Sequence, residues 1–474
     1  MNDRVLVIDL DGTLVRTDML FETFWSALGR SWTAPVLALR SLLVSGRSAL
    51  KAALSKAGPV EVASLPYNDE VLDYIRDWRA RGGRTALVTA SHQDLADQVA
   101  EHLGIFDEVH GSDDASNLKG ERKATFLESR FGPGRFDYMG DAPADLPVWE
   151  KAHKAVAVGA PRSVRTRLAG LGREVEHLRA GTPALKGYLR ALRPHQWLKN
   201  LLVVLPLLAS HRVTPELLGA ALLAFVAFSL VASSVYVLND LLDLQADRAH
   251  PRKRNRPFAS GAVPIAHGTA MAPVLMLMGF LAAVPLGGKF VLCLSAYWLA
   301  TTAYSLMLKR IAVLDIVVLA GLYTLRIVAG ALATGIPLSV WLLAFSVFFF
   351  FALAAVKRQA ELAGQAGDAG TGLRGRGYRV GDLQLVSNMA TSSGYVSVLV
   401  LALYVNSPAV LGLYSSPALL WGICLVLLFW LSRVMMLTHR GEMHDDPVVF
   451  AATDRVSQLC ILLCAALGFG AVLV

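Results

Sequence analysis

The chain has 474 residues, of which 54% are hydrophobic and only 17% charged, and its formal net charge is +8. Its length leaves room for two or three domains. Such an apolar composition is unusual for a soluble protein and indicates membrane-spanning helices. The first 185 residues hold many acids and bases, whereas the remainder is mostly apolar, with basic residues in short loops. Membrane orientation and phosphate binding explain those loops better than nucleic-acid binding, so we expect no nucleic-acid partner.

The beginning of the chain alternates apolar strands with helical stretches. Strand-like runs occur within residues 5–14, 85–89 and 136–145, with helical stretches between them at 68–81 and 92–103. Strands that alternate with helices predict a parallel sheet. Each run ends in polar residues, and the carboxyl ends of parallel strands form the ligand crevice of such folds.

These three runs, in this order, resemble the haloacid dehalogenase (HAD) phosphohydrolases. The resemblance covers residues 1–170 and implies an α/β, Rossmann-like domain with a small helical cap at about residues 15–70. Within it, Asp9 matches the nucleophile that forms an aspartyl-phosphate, and Asp11 matches the general acid that protonates the leaving oxygen. Thr89 matches the hydroxyl that holds a phosphoryl oxygen.

The same resemblance implies one Mg²⁺ in this domain. The implied ligands are Asp9, Asp11 and Asp141, with Asp145 in support of Asp141.

The phosphate-binding lysine is less clearly marked. Lys123 stands at a suitable distance before the Gly-Asp motif, and Lys119 is the alternative. A HAD fold kept only as a scaffold is a second interpretation of the whole domain. Degenerate copies usually lose the first or second acid, and this chain keeps both Asp9 and Asp11.

The rest of the chain predicts a linker with a surface helix at residues 171–190 and an all-α membrane domain at 191–474. The apolar stretches there are long enough for nine membrane-spanning helices. They lie near residues 198–211, 216–238, 267–287, 289–307, 312–334, 338–356, 386–405, 416–437 and 455–474. All four cysteines of the chain fall in these stretches, without a histidine or acid at metal-ligand spacing, so we expect packing residues.

The loops between these stretches predict an orientation. Basic loops alternate along the chain with loops that carry few charges. Basic loops face the cytoplasm in most membrane proteins. The short apolar run at the start of the chain is broken by Asp9 and Asp11, which argues against a signal peptide. We therefore expect a multi-pass protein of a bacterial plasma membrane, with the first domain and the active-site mouths in the cytoplasm.

An acidic pattern follows the second apolar stretch. Asn239, Asp243 and Asp247 recur at every fourth residue, which places their side chains on one face of a continuing helix. Three oxygen ligands on one face suit Mg²⁺, which prefers carboxylates together with substrate phosphates. The basic run at residues 250–257 would meet the remaining phosphate oxygens. A solvated loop would explain the basic residues but not the spacing of the acids.

This spacing resembles the first aspartate-rich motif of the UbiA superfamily of intramembrane prenyltransferases. Three further segments, at residues 193–200, 250–257 and 445–451, resemble the decaprenyl-phosphate phosphoribosyltransferase branch, and the match covers about residues 186–474. The resemblance implies a nine-helix fold and at least one further Mg²⁺. It also implies transfer of 5-phosphoribosyl from phosphoribosyl diphosphate to a polyprenyl phosphate, for cell-wall biosynthesis.

The second UbiA motif is where this chain departs from the wider family. The usual second pair of acids is replaced by Lys357 and Arg358, which exchanges a metal site for fixed positive charge. Those side chains could hold a diphosphate beside one Mg²⁺. A basic loop that only orients the membrane domain is the other interpretation.

Further residues of this domain are candidates for substrate binding. With Lys357 and Arg358, the set comprises Lys199, Asp240, Lys253, Arg256, Tyr304 and Arg326. Arg326 lies within a membrane stretch, so it needs a partner, which is either Asp315 or a substrate phosphate. Asp445, Asp446 and Asp454 are either site residues or a solvated loop.

Two other functions remain open on the sequence. One is prenyl transfer from a polyprenyl diphosphate to an aromatic acceptor, as in quinone or haem biosynthesis, against which the missing second acidic motif counts. The other is a membrane transport or lipid-binding protein with a regulatory HAD domain, against which the intact first motif counts. The sequence leaves the lipid's length open and is compatible with a homo-oligomer.

Overall fold

The computed structural model describes residues 4–31, 33–113, 117–178, 184–364, 376–443 and 446–473. The chain forms two compact units. The first unit comprises Met1–Leu192 with Tyr236–Pro273, and the second comprises Arg193–Val235 with Val274–Val474. The aspartate-rich segment thus belongs to the same unit as the N-terminal α/β fold.

A six-stranded parallel sheet forms the centre of the α/β fold, in the order β3-β2-β1-β4-β5-β6. The strands are β1 Val5–Ile8, β2 Arg84–His92, β3 Glu108–Ser112, β4 Phe136–Gly140, β5 Lys154–Val158 and β6 Glu174–Leu178. The parallel sheet predicted from the alternating pattern is confirmed. Strand β6 extends it into residues for which the sequence predicts a linker.

Both faces of this sheet are covered. In β1, Leu6 and Ile8 pack on one side in a cluster with Ile75, while Val5 and Val7 pack on the other side. Successive side chains of a strand point to opposite faces, so a sheet covered on both faces needs a continuous apolar strand. The helices of this fold are α1 Met19–Arg30, α2 Ala34–Ala57, α3 Asp69–Ala80, α4 Gln93–Leu103, α5 Glu121–Phe131, α6 Leu146–Lys151, α7 Arg162–Ala169 and α8 Leu185–Leu192.

The remainder of the chain is helical. Its α-helices are α9 Leu205–Ala209, α10 Pro215–Leu242, α11 Leu244–Ala249, α12 Ile265–Ala283, α13 Gly288–Leu306, α14 Leu314–Thr334, α15 Val340–Ala363, α16 Leu383–Val405, α17 Pro408–Leu411, α18 Leu420–His439, α19 Pro447–Thr453 and α20 Arg455–Leu473. Short 3₁₀ segments connect several of them, among them Pro194–Val204 and Lys253–Asn255.

Seven segments of the described chain are long and apolar enough to cross a membrane. They are Pro215–Leu242, Ile265–Leu286, Leu314–Thr334, Val340–Ala363, Val380–Val405, Pro417–His439 and Arg455–Leu473. The protein is therefore an integral membrane protein.

The predicted count of nine spans is not confirmed. The stretch near residues 198–211 folds as the 3₁₀ segment Pro194–Val204 followed by α9, which is only five residues long. Helix α13 has 19 residues, but its lysine, serine, threonine and tyrosine residues lower its hydropathy, and it is not among the seven.

Candidate active sites

The order of the strands brings the HAD-like residues together. Strand β1 lies between β2 and β4, so Asp9 after β1, Thr89 in β2 and Asp141 after β4 share one edge of the sheet. Thr89 is fully buried, and its hydroxyl oxygen accepts a hydrogen bond from the amide of Ser91 at 3.0 Å. These residues form the crevice that the sequence predicts.

Lys123 reaches this crevice from α5. Its ammonium donates to Asp9 Oδ1 at 2.9 Å and to the Tyr138 hydroxyl at 3.0 Å, and Asp145 Oδ1 lies 4.0 Å away. Burial lowers the pKa of Lys123, but the Asp9 and Asp145 carboxylates outweigh it and raise the pKa overall. Lys123, and not the alternative Lys119, therefore carries a fixed positive charge beside Asp9.

Three carboxylates of this crevice form a candidate metal centre. One oxygen from each of Asp9, Asp141 and Asp145 lies within 4.8 Å of the others. Burial and the charges of Asp9 and Asp145 raise the pKa of Asp141 to about 8. Three acids crowded beside one lysine fit a divalent cation, which would offset their mutual repulsion. From the sequence we expected Asp145 only to support Asp141, whereas the geometry places it in the group.

Asp11 lies outside that group of three. Its two carboxylate oxygens accept hydrogen bonds from the Met19 amide and the Ser91 hydroxyl, each at 2.7 Å. Burial, with the charges of Asp18 and Asp9, raises the pKa of Asp11 to about 7. A carboxyl group that keeps its proton near neutral pH suits a general acid better than a metal ligand.

Sequence reasoning missed a lysine of helix α2. Lys51, on α2, donates to the Ala90 carbonyl at 2.6 Å and lines a small cleft with Ser91 and His92. Burial lowers its pKa, and the neighbouring carboxylate of Asp11 opposes that shift. Nothing in the local sequence around Lys51 marks it, because α2 is distant in sequence from β2.

The aspartate-rich segment spans the end of α10 and the start of α11. Backbone hydrogen bonds link Asp243 to Asn239 at 3.0 Å and Asp247 to Asp243 at 2.8 Å, so the helical path continues through the break at Asp243. The Asn239 amide donates to Asp243 Oδ2 at 2.9 Å. These two side chains therefore share a face, as the spacing predicts.

Arg256 connects two acids of this segment. Its guanidinium donates to Asp240 Oδ1 at 3.1 Å and to Asp247 Oδ2 at 2.6 Å. Burial raises the pKa of Asp247, and the charge of Arg256 opposes that shift. Lys253 lies in the exposed 3₁₀ segment before Arg256. Acids and bases thus alternate within one small region, which suits a metal-bound diphosphate.

A second charged cluster lies in the second unit. Lys199 and Lys357 both donate to Asp446 Oδ2, at 2.7 and 2.8 Å. Although burial favours the neutral acid, the two ammonium groups hold the pKa of Asp446 well below its usual range. Two ammonium groups on one carboxylate leave net positive charge. Asp445 lies outside the described residues, and Asp454 pairs with Arg433 at 2.7 Å.

Arg326 is buried near this cluster. Its guanidinium donates to Asn200 Oδ1, to the Leu322 carbonyl and to the Tyr297 hydroxyl, at 2.6 to 2.8 Å. The first alternative, a pair with Asp315, is wrong. In the described chain its hydrogen-bond partners are uncharged groups, so contact with a substrate phosphate stays a prediction.

Arg358 lies in a buried ion-pair network. Its side chain is fully buried, and its guanidinium pairs with the fully buried Asp315 at 2.8 Å and with Glu361. Arg376 joins both acids and also donates to the Tyr304 hydroxyl at 3.2 Å. Full burial leaves Arg358 no face open to a substrate, so we assign it a structural role. Tyr304 lies at the edge of the same network.

An apolar cavity of about 410 Å³ lies in the second unit. Leucine and phenylalanine residues of the 3₁₀ segment Pro194–Val204 and of α15 line it, together with Trp430 of α18 and Cys460 of α20. Lys199 is the charged residue among those that line it. A cavity of this size is typical of ligand sites. Its chemistry suits an apolar chain with an anionic end.

A phosphohydrolase-type α/β fold followed by membrane helices is the architecture that these sites share, and comparison with protein families identifies both parts. The chain matches the model of the UbiA prenyltransferase family over residues 201–453 and that of haloacid dehalogenase-like hydrolases over residues 6–150. The chain belongs to the UbiA prenyltransferase family, and its HAD-like hydrolase domain precedes the family's membrane domain.

Three relatives show how far the similarity extends. Over 462 residues the chain is 41% identical to "Uncharacterized protein y4nM" of Sinorhizobium fredii, covering 95% of this chain and 88% of that protein. It is 40% identical over 278 residues to "Nodulation protein NoeC" of Azorhizobium caulinodans, covering 58% of this chain and 90% of that protein. It is 41% identical over 181 residues to "Decaprenyl-phosphate phosphoribosyltransferase" of Mycobacterium tuberculosis, covering 37% of this chain and 60% of that protein.

Proposed function

We propose that the membrane domain transfers 5-phosphoribosyl from phosphoribosyl diphosphate to a polyprenyl phosphate. A phosphate oxygen of the lipid would form a bond to the anomeric carbon of the ribose. The bond from that carbon to the leaving oxygen would break, and diphosphate would depart with the electron pair. The transition state would resemble an oxocarbenium ion, so positioning and charge neutralisation supply the catalysis without a protein nucleophile. The relative from Mycobacterium tuberculosis supports this choice of substrates.

The observation that carries the proposal is the position of Lys199. It lines the apolar cavity and shares Asp446 with Lys357, so net positive charge lies at an apolar surface. An apolar chain with an anionic phosphate is the ligand that matches both features. In this proposal the cavity holds part of the lipid, and the two lysines bind its phosphate.

The aspartate-rich segment is proposed to bind the leaving group. Asn239, Asp243 and Asp247 would hold Mg²⁺, which would neutralise charge on the leaving diphosphate. Arg256 would move from its acid partners to the diphosphate oxygens, and the exposed Lys253 would add a further positive charge.

The HAD-like domain is proposed to remove the 5-phosphate of the lipid product. Asp9 would attack the phosphorus and form an aspartyl-phosphate, while Asp11 gives its proton to the departing ribose oxygen. Water would then hydrolyse the aspartyl-phosphate. Lys123 holds the position of Asp9 and opposes the rise in pKa that burial causes there, and Mg²⁺ held by Asp9, Asp141 and Asp145 would neutralise the phosphoryl oxygens. A covalent link between the two domains keeps the intermediate at high local concentration.

The proposal includes an orientation. The alternation of basic and weakly charged loops supports a bacterial plasma membrane with the HAD-like domain and both active sites open to the cytoplasm. A homo-oligomer is compatible with the proposal and is not required by it.

The decisive experiment incubates the purified full chain with Mg²⁺, phosphoribosyl diphosphate and a polyprenyl phosphate. The expected result is a lipid whose mass has increased by phosphoribosyl or by ribosyl, together with free diphosphate. A matched reaction with a polyprenyl diphosphate and an aromatic acceptor tests the second candidate function. Robust prenyl transfer there, without ribosylation of the lipid, would overturn the proposal.

A further inference from the structure

Arg248 lies directly after the candidate metal ligand Asp247 and is buried within the first unit. Its guanidinium bonds both carboxylate oxygens of Glu22, at 2.5 Å and 3.1 Å, and the two side chains are only 4% and 2% exposed. Two parallel bonds between a guanidinium and a carboxylate fix the relative orientation of both groups. The pair therefore joins the aspartate-rich segment rigidly to helix α1 of the HAD-like domain.

Glu22 is in turn fixed to the phosphatase-type crevice. Its Oε1 accepts a hydrogen bond from the Thr17 hydroxyl at 2.9 Å. Helix α1 begins at Met19, whose amide donates to Asp11 Oδ1 at 2.7 Å. Glu22 thus lies in the first turn of α1, and Asp11 of the HAD-like site binds the amide of the first residue of that helix.

Arg248 also fixes the basic loop that follows it. Its Nε donates to the Ala259 carbonyl at 3.0 Å, three residues beyond Arg256. Arg256 is the residue that pairs with Asp240 and Asp247. Arg248 and Arg256 therefore both connect the acidic helix to the basic loop, and Arg248 also connects that loop to Glu22.

Other contacts hold the same surfaces together. The Trp25 indole of α1 donates to the Thr269 hydroxyl at 2.9 Å, and the Gln245 amide donates to the Pro59 carbonyl at 3.1 Å. Loss of the ion pair alone would therefore leave the two surfaces joined. The ion pair of Arg248 with Glu22 fixes the relative orientation of two surfaces that these other contacts already join.

We propose that Glu22, a residue of the HAD-like domain, is a positioning residue for the diphosphate site of the transferase, and that it acts through Arg248. The phosphatase-type fold is on this view a structural part of the transferase site as well as a separate catalyst. The inference rests on the proposed binding of Mg²⁺ and diphosphate by the aspartate-rich segment. Without Glu22 a buried guanidinium loses its charge partner, and Asp247 and the loop of Arg256 lose their common anchor.

The test compares Glu22→Gln and Arg248→Lys with the wild-type full chain. Glutamine keeps the shape of Glu22 but removes its charge, and lysine cannot bond Glu22 twice and Ala259 at once. Release of diphosphate is followed while phosphoribosyl diphosphate and the lipid are varied separately. Both variants should raise the KM for phosphoribosyl diphosphate about 10-fold to 100-fold and leave the KM for the lipid unchanged.

The matched control is Asp73→Asn, which removes an acid from an exposed ion pair with Arg76 elsewhere in the HAD-like domain. It should behave as the wild type. A donor KM that stays at the wild-type value in both variants would overturn the inference. Equal changes in both KM values with a lowered thermal midpoint would also overturn it, because they indicate general destabilisation.

Direct binding of Mg²⁺ and inorganic diphosphate, measured by titration calorimetry, separates this inference from the proposed reaction. The affinity should fall at least about 10-fold in Glu22→Gln and be retained in Asp73→Asn. If the wild type binds diphosphate but transfers no phosphoribosyl group, the proposed reaction fails and this inference stands. If Glu22→Gln binds as the wild type does, the inference fails whatever the reaction.

Discussion

Lys199 and Asp446, which are 247 residues apart in the chain, form an ion pair of 2.7 Å. Both side chains are largely buried, at 9% exposure each. Lys357 donates to the same carboxylate oxygen. A largely buried ion pair with a second, partly exposed cation retains affinity for a further anion, such as the phosphate of a lipid.

Lys199→Met should weaken binding of the polyprenyl phosphate more than that of the sugar donor. The substitution keeps an apolar side chain at the cavity but removes the charge closest to it. We expect the KM for the lipid to rise about 10-fold or more, which corresponds to about 1.4 kcal/mol of lost binding. Lys289→Met, an exposed lysine at the start of α13, is the control and should leave the lipid KM unchanged. An unaltered lipid KM in Lys199→Met would exclude the assigned role.

Asp243→Asn should abolish lipid ribosylation with little effect on folding. Asp243 is half-buried at the break between α10 and α11, where an amide fits the space but is a poorer ligand for Mg²⁺. Asp247→Asn should have the same effect on transfer and a larger effect on stability, because Asp247 also pairs with Arg256. The lipid product is measured by mass, and helix content by circular dichroism.

The control for these variants is Glu216→Gln, an exposed acid at the opposite end of α10. It should transfer at the wild-type rate. Normal transfer by Asp243→Asn would contradict the role assigned to the aspartate-rich segment.

Arg358→Met should lower the stability of the fold. This effect would distinguish Arg358 from its neighbour Lys357, to which we assign substrate binding. Removal of its guanidinium leaves Asp315 fully buried, with Arg376 at 3.5 Å as its remaining cation among the described residues. Breaking a buried ion pair costs about 3 to 5 kcal/mol, and the nearby Arg376 favours the lower figure. The thermal midpoint in detergent should fall, whereas Arg379→Met, an exposed arginine, should not change it. Unchanged stability together with a raised donor KM would restore the original substrate-binding prediction.

The sequence could predict features that are local along the chain. Asp9, Thr89 and Asp141 follow or end apolar strands, and parallel strands bring those ends together. Spacing favoured Lys123 but left Lys119 as an alternative, and the contact of Lys123 with Asp9 decides between them. The spacing of Asn239 and Asp243 likewise gave their shared face, because the helical hydrogen bonds continue through the segment.

Features set by long-range pairing could not be predicted in this way. Lys357 and Arg358 are neighbours in the sequence, but consecutive residues of a helix point in different directions. One therefore meets Asp446, and the other enters a buried network with Asp315. The pair of Arg248 with Glu22 is also a long-range contact. The sequence did not predict it, because neither residue belongs to a recognisable motif. Strand β6 was missed because its mixed sequence carries a weak strand signal.

Lys51→Met tests whether the cap recognises a second anionic group. Lys51 lines the cleft beside Ser91, which donates to Asp11, so a charged part of a larger substrate could reach it. The phosphorylated lipid carries such a group in its phosphodiester. In Lys51→Met, the KM of the HAD-like domain for the phosphorylated lipid should rise about 10-fold. A small generic phosphate ester should be hydrolysed with an unchanged KM. Lys56→Met, exposed on the same helix, serves as the control. Equal effects on both substrates would contradict selective recognition.

Asp9→Asn joins the two proposed activities in one measurement. The substitution removes the nucleophile and weakens the ion pair with Lys123, but it leaves the residues of the membrane domain intact. We expect the wild type to produce polyprenyl-phosphoryl-ribose and Asp9→Asn to accumulate the form that keeps the 5-phosphate. Asp243→Asn should form neither lipid and should still hydrolyse a small phosphate ester. The lipid masses decide the outcome. If wild type and Asp9→Asn both yield only the phosphorylated lipid, the HAD-like domain acts on another substrate or is a scaffold.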